Sequence, residues 1–282
     1  MKKLGLIVDS TVYLEPEVIK ENDIGVVSLN VVDGKESFKE TEIDNNFVYE
    51  RQDSGSHLTT SQPAPGEFLE AYQEKIKAGY EKIFVVVVSK DISGTYQSAT
   101  LAQNMLDDPD KVHIFDTQLA AYGNVMIALE IIDMIQNGDS ADTVITRTER
   151  ITANSEQMFT VENLFSLVKG GRLSAAKAMI GTVLRVKPIV RMVDGELKLV
   201  KSERTYKKLH RYMINSIEET LQGHKKVTFY LLSKNSEDSA NKLKDALKSK
   251  YPNAKITEST RLGPVFTIHV GRKGYGISYF VE

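Results

Sequence analysis

Residues 82–89 read Lys-Ile-Phe-Val-Val-Val-Val-Ser, an unbroken run of β-branched and aromatic side chains. A run this short and this apolar fits a central strand covered on both faces, the situation that a parallel sheet wrapped by helices creates. Helical patterns flank it on both sides. Phe68, Tyr72 and Ile76 recur every four residues after Ser61-Gln62-Pro63 and stop at Gly79, while Ser93-Gly94-Thr95 opens a helix to about residue 106. Upstream, residues 4–8 form a short apolar run ending in Asp9-Ser10-Thr11. A polar helix over 15–21 and a strand over 24–32 follow. Downstream, a strand over 112–115 ends in Asp116-Thr117, and a long helix over 119–136 stops at Gly138. Alternating strand and helix predicts a doubly wound parallel sheet.

The second half changes character. A helix over 141–152 leads to a strand from Gln157, and two helical stretches flank Gly170-Gly171-Arg172. Strands over 189–193 and 196–200 sit either side of Asp194-Gly195, a strong two-residue hairpin signal. A helix (204–221), a strand (227–233), a helix (237–250) and strands at 254–259 and 275–281 complete the chain. This predicts an α+β unit with antiparallel pairing. With 282 residues the chain suits two domains, an α/β domain over 1–157 and an α+β domain over 158–282. No Pro/Gly linker marks the junction, so the halves are expected to pack closely.

Lys+Arg 36 against Asp+Glu 38 leaves a net charge of −2, so no basic excess exists to attract nucleic acid or an anionic membrane. Cysteine is absent, which removes disulfides, thiolate catalysis and thiolate metal sites together. His57, His113, His210 and His224 show no ligand spacing, so no metal is expected. The apolar stretch after Met1-Lys2-Lys3 is too short for a signal segment, and no run spans a bilayer; a cytoplasmic protein is expected. Dinucleotide, Walker, nucleophile-elbow and zincin signatures are missing. Ser174 and Lys177 match S-x-x-K without its companion motifs, and Ser174 reads better as a helix cap.

What remains is a set of hydroxyls near strand ends, where open parallel sheets bind ligands. Asp9-Ser10, Thr59-Thr60-Ser61, Ser93-Gly94-Thr95 and Asp116-Thr117 occupy such places, and each also reads as a helix cap. Ser93-Gly94 pairs a hydroxyl with a residue lacking Cβ, and Thr60-Ser61 places two hydroxyls at what reads as a second helix start. Two such helix starts suit a carboxylate or a phosphate. Arg172, after two glycines, offers a guanidinium for the same anion or is a surface residue past a helix end. His269, in the apolar stretch 265–270, is a core residue or a second polar contact.

These pieces, in this order, resemble the DegV family of bacterial fatty-acid-binding proteins. The matching residues are Asp9-Ser10-Thr11, Thr60-Ser61-Gln62-Pro63, residues 93–99, Asp116-Thr117, Gly170-Gly171-Arg172-Leu173, Lys187-Pro188, Arg204-Thr205 and His269-Val270-Gly271. One departure is visible: Arg272-Lys273 precede Gly274 where the family often carries small residues. The resemblance implies two domains with a long-chain fatty acid between them, in the C14–C18 range that includes palmitate. It implies that Thr60, Ser61, Ser93 and Gly94 hold the carboxylate, with Arg172 and His269 supporting it. It further implies a carrier, without catalytic residues or cofactor. Such a carrier presents its acid to the separate ATP-binding subunit of a fatty acid kinase, which makes an acyl phosphate. Apolar helices over 125–135, 164–168 and 179–184 offer either a lining for the tail or ordinary core. Two other readings stay open: a serine-dependent hydrolase or transferase using Ser93 or Ser61 with His269 as base, and a binding module without lipid.

Overall fold

The structure, a computed structural model, describes residues 3–162, 164–173 and 186–282. The helix expected over 179–184 and the Ser174–Lys177 pair lie outside the described residues.

The first domain begins with β1 (Leu4–Asp9), α1 (Pro16–Glu21) and β2 (Gly25–Val27). Next come β3 (Asn30–Asp33), β4 (Glu36–Lys39), α2 (Asn45–Asp53) and β5 (Leu58–Ser61). It ends with α3 (Pro65–Lys77), β6 (Lys82–Val86), α4 (Thr95–Gln103), β7 (Val112–Phe115), α5 (Tyr122–Gln136) and α6 (Ala141–Ala153). Four of these strands make a parallel sheet in the order β2-β1-β6-β7. Strand alternation divides its side chains. Ile7, Ile83, Val85 and Val87 pack under α3 and α4, while Leu6, Val8, Phe84 and Val86 pack against α5. The 82–89 run is thus buried on both faces, as expected of a doubly wound sheet.

The strand expected over 24–32 is two strands. The chain leaves the parallel sheet at Ser28, and β3 instead pairs antiparallel with β4 and β5 in a separate three-stranded sheet. Ser10 holds the break: its backbone N–H donates to the Val27 carbonyl at 2.9 Å, and its Oγ accepts from the Leu29 N–H at 3.0 Å. The long helix starts at Tyr122 and not at residue 119, because Gln118 (φ 54°) and Ala121 (φ 44°) take left-handed backbone conformations that end any helix. Ten residues of α5 are buried, so the apolar side chains of residues 125–135 are core, stabilising the domain by roughly 1.5–3 kcal/mol per large apolar side chain.

The second domain contains β8 (Ser155–Val161), α7 (Phe165–Lys169), β9 (Lys187–Val193), β10 (Glu196–Glu203) and α8 (Tyr206–Leu221). It continues with β11 (Val227–Lys234), α9 (Glu237–Lys250), β12 (Lys255–Ser259), α10 (Pro264–Val270) and β13 (Gly274–Val281). Its sheet is mixed, in the order β10-β9-β8-β13-β11-β12; only β11 and β12 run parallel. The Asp194-Gly195 hairpin is present, with φ of 51° and 79° at its two turn residues, the left-handed pair a two-residue turn needs. One sheet face buries Met158, Phe229, Ile277 and Tyr279 against α8 and α9. The opposite face meets the first domain.

The halves pack closely, through polar clasps as well as apolar contact. The Gln157 side-chain amide pairs with the Ala120 peptide, accepting from its N–H at 3.1 Å and donating to its carbonyl at 2.8 Å. Ser89 Oγ donates to the Gly195 carbonyl at 2.8 Å, and Tyr230 OH donates to Glu130 at 3.1 Å. Arg272, the departure noted above, anchors the last turn to α2 through the Tyr49 carbonyl (3.2 Å) and Asp53 (2.5 Å).

Candidate functional site

The inner face of the second sheet carries an unusual gradient of size. Along β13 the inward positions are Gly274, Gly276, Ser278 and then Phe280, which packs into the core with Tyr230. Each aligns with a residue on either side, forming rungs: Val161–Gly274–Lys234, Phe159–Gly276–Leu232, Gln157–Ser278–Tyr230 and Ser155–Phe280–Thr228. Glycine inside a strand removes the side chain that would fill the space above it. Above the first three rungs lies a cavity partly open to solvent, with about 1010 Å³ of free space when the solvent at its opening is counted, whose walls include all nine of those residues and none of the fourth rung. At about 3.3–3.4 Å per residue, the first and third rungs stand roughly 13 Å apart.

The roof comes from the first domain, where Val88, Ile92, Ala120 and Tyr122 follow the strands of the parallel sheet. One side wall is the α10 segment, through Leu262, Val265 and Phe266. Among the polar groups on this largely apolar lining are four residues singled out from the sequence: Thr60, Ser93, Arg172 and His269. Arg172 and His269 lie on the segments that adjoin the first rung, after β8 and before β13.

Thr60 Oγ1 and His269 Nε2 are hydrogen bonded at 2.8 Å across 209 residues of sequence. Among the described residues His269 Nδ1 is buried without a partner, and a Cβ on Gly170 would approach it to 2.6 Å. Burial, with the nearby Arg172 charge adding to it, pushes the imidazole pKa down to about 4, so the ring is neutral at pH 7. Arg172 donates through Nη1 to the Gly170 carbonyl at 2.6 Å and through Nε to the Ile92 carbonyl at 3.3 Å. Among the described residues it has no carboxylate partner, and burial lowers its pKa. Ser93 Oγ lies 2.9 Å from Thr95 Oγ1. The site therefore has a half-buried cation and hydroxyl groups at one end, above a floor opened by Gly274 and Gly276.

The other sequence-derived candidates fall elsewhere. Thr60-Ser61 is not at a helix start: both lie in β5, and α3 begins only at Pro65. The Ser61-Gln62-Pro63 stretch reads as a helix opening because proline favours first turns, but a second proline, Pro65, takes that place. Strand alternation that turns Thr60 to the cavity turns Ser61 away, and Ser61 is exposed outside the lining. Gly94 caps α4 on an outer polar cleft, where a Cβ would meet the Gln62 side chain at 2.5 Å. The glycine thus accommodates Gln62. That cleft, about 710 Å³ of open space, shares Ile92, Ser93, Arg172 and Leu197 with the cavity, so the polar end is also the end facing outward. No Ser–His–carboxylate relay is assembled among the described residues: His269 bonds to Thr60, and its second nitrogen has no partner.

Two buried carboxylates hold the site together: Asp9, which the sequence already places at a strand end, and Glu40, which sequence reasoning missed. Glu40 is almost fully buried and accepts from Ser10 Oγ (2.5 Å), Tyr13 OH (2.9 Å) and the Val265 N–H (2.9 Å), fixing the start of the helix that carries His269. Asp9 is fully buried and accepts from the N–H groups of Val88 (2.7 Å) and Thr11 (2.8 Å) and from the Thr11 hydroxyl. Burial raises Asp9 to about 6 and Glu40 to about 7, against the pull of their donors. The alternation Gly274, Gly276, Ser278 was the one legible signal for the floor. Among the described residues no group of three or more potential ligands forms a metal site, and no helix is long and apolar enough to cross a membrane.

Comparison with known proteins fits this geometry. The family model described as "Uncharacterised protein, DegV family" matches residues 3–282. A DegV domain-containing protein of Halalkalibacterium halodurans is 31% identical over 284 residues, covering 100% of both chains. A Thermus thermophilus structure, presented as fatty acid binding of a DegV family protein, superposes with a TM-score of 0.87 at 27% identity, covering 99% of this chain and 100% of that one. A Bacillus subtilis structure, presented as DegV, a fatty acid binding protein, gives 0.84 at 29% identity with 100% coverage of both.

Proposed function

This chain belongs to the DegV family, and on that premise we propose that it binds a long-chain fatty acid in the cavity between its two sheets. The observation that carries this reading is the cavity: apolar along its length, floored by Gly274 and Gly276, and polar at one end. Burying a tail of about fourteen methylenes contributes roughly 11 kcal/mol gross at ~0.8 per CH₂, so the tail supplies affinity. The polar end must offset the lost hydration of a carboxylate.

The neutral His269 suits that task. We assign its proton to Nε2, donating to Thr60 Oγ1, which leaves the threonine hydrogen to point at a ligand oxygen. Ser93 supplies a second hydroxyl, and Arg172 supplies charge with part of its donor set already tied to main chain. Ser61 is left out of this reading, and Gly94 borders the head group only from the outer cleft.

We further propose that the bound acid is presented to a separate ATP-dependent kinase, which turns the carboxylate into an acyl phosphate. The support is the family resemblance and the opening of the polar end into the outer cleft, where a partner reaches the head group without expelling the tail. Arg172→Ala should impair acyl phosphate formation by the ATP-binding subunit; an unchanged rate together with unchanged affinity would remove Arg172 from the site.

Solvent extraction of the purified protein followed by mass spectrometry is expected to release a C14–C18 acid. A protein that is empty and takes up no added acid would overturn the reading. Ser93→Ala should weaken binding about tenfold or more, the worth of one hydrogen bond to a charged group, whereas Ser98→Ala, buried in α4, should not. Equal effects of the two would show that the head group lies elsewhere.

A further inference from the structure

We infer that Tyr230 is the end wall of the cavity and sets the length of acyl chain that it accepts, an inference that rests on the fatty-acid reading above. Leu173 and Val270, the chain neighbours of Arg172 and His269, pack in one cluster with Val161 of the first rung, so a tail lying over the glycine floor runs toward the third. There the floor rises. Ser278 replaces glycine, and Tyr230 beside it is 1% exposed and lines the cavity. Phe280 follows in the core and lies outside the lining.

Tyr230 is held from two directions, which makes it a wall and not a gate. Its hydroxyl donates to Glu130 on α5 at 3.1 Å. Its ring meets Tyr122 edge to face, with centroids 6.0 Å apart and planes at 71°. The third member of its rung, Gln157, is itself fixed by two hydrogen bonds to the Ala120 peptide. Packed interiors resist deformation, so a chain that reaches this ring gains nothing from further methylenes.

The test is the dependence of affinity on chain length for the full protein, titrated with saturated acids of roughly 12 to 20 carbons. Each added methylene that is buried should raise affinity about fourfold, until the wall is reached and the plot breaks. Tyr230→Leu is expected to move that break to longer acids by two carbons or more. Tyr230→Phe, which keeps the ring, should leave it in place. Ser278→Val, which fills the same rung from the neighbouring strand, should move it to shorter acids and serves if the leucine variant does not fold. A break that stays put in both Tyr230→Leu and Ser278→Val overturns the wall while leaving the fatty-acid reading intact. Failure of the wild-type protein to bind any of the acids overturns both.

Discussion

Glu40→Ala should cost the protein about 3–9 kcal/mol of stability, because it strands three buried donors at ~1–3 kcal/mol each. Those donors are Ser10 Oγ, Tyr13 OH and the Val265 N–H, and they come from just past β1 and from α10, the latter 225 residues beyond Glu40 in the chain. A Cβ on Gly263 would already lie 2.4 Å from the Tyr13 ring and 2.7 Å from Glu40, so the joint is filled. The loss is a large part of the ~5–15 kcal/mol that holds a typical domain folded. Glu40→Gln should recover most of it, since an amide oxygen still accepts from Tyr13 and Val265. Denaturant titration of the three proteins checks this; an alanine variant within 1 kcal/mol of wild type, on the scale of one ordinary hydrogen bond, would sink it. Fatty-acid affinity should fall with the alanine variant too, because α10 carries His269. The helix will not detach outright. Asn45 straps it independently, donating to the Leu262 carbonyl and accepting from the Thr267 hydroxyl, both at 2.6 Å.

That joint also shows where sequence reasoning stops. Local signals were legible wherever one element decides its own fate. The apolar run over 82–89 announces a two-faced strand, Asp194-Gly195 announces a hairpin, and Gly138, with φ 79°, ends α5. The pairing of Thr60, Ser93, Arg172 and His269 on one cavity was legible through the resemblance, since four short motifs far apart in sequence carry no local reason to meet. Residues 33–61 defeated the reading for a physical reason. They are polar, their strands are short, and their sheet is stabilised by α10 from the far end of the chain, through Val265 and Ile268 against Leu29, Val31 and Leu58. A glutamate in such a stretch looks like solvated surface. Only tertiary structure reveals that it is 4% exposed and receives three hydrogen bonds.

Stability should therefore depend on pH through two opposed sets of buried groups. Glu40 rises from the usual 4.5 to about 7, and Asp9 from 3.8 to about 6, chiefly because burial disfavours the charged form. Between each pair of values the folded protein binds the proton and the unfolded chain does not, so stability is lost as pH climbs through that window. His269 runs the other way. Its folded value is about 4 against the usual 6.5, so the unfolded chain holds the extra proton and stability is gained as pH rises from 4 to 6.5. Glu40→Gln isolates the first effect. The stability difference between variant and wild type should shift by about 3 kcal/mol in favour of the variant on going from pH 4 to pH 8, at ~1.4 kcal/mol per pKa unit. His269→Gln should shift the difference in the same direction, toward the variant, only as pH falls, since it removes a group that must stay uncharged when buried. Parallel pH curves for wild type and Glu40→Gln would mean that the carboxylate is hydrated in solution. The joint between β1 and α10 would then be looser than its hydrogen bonds require.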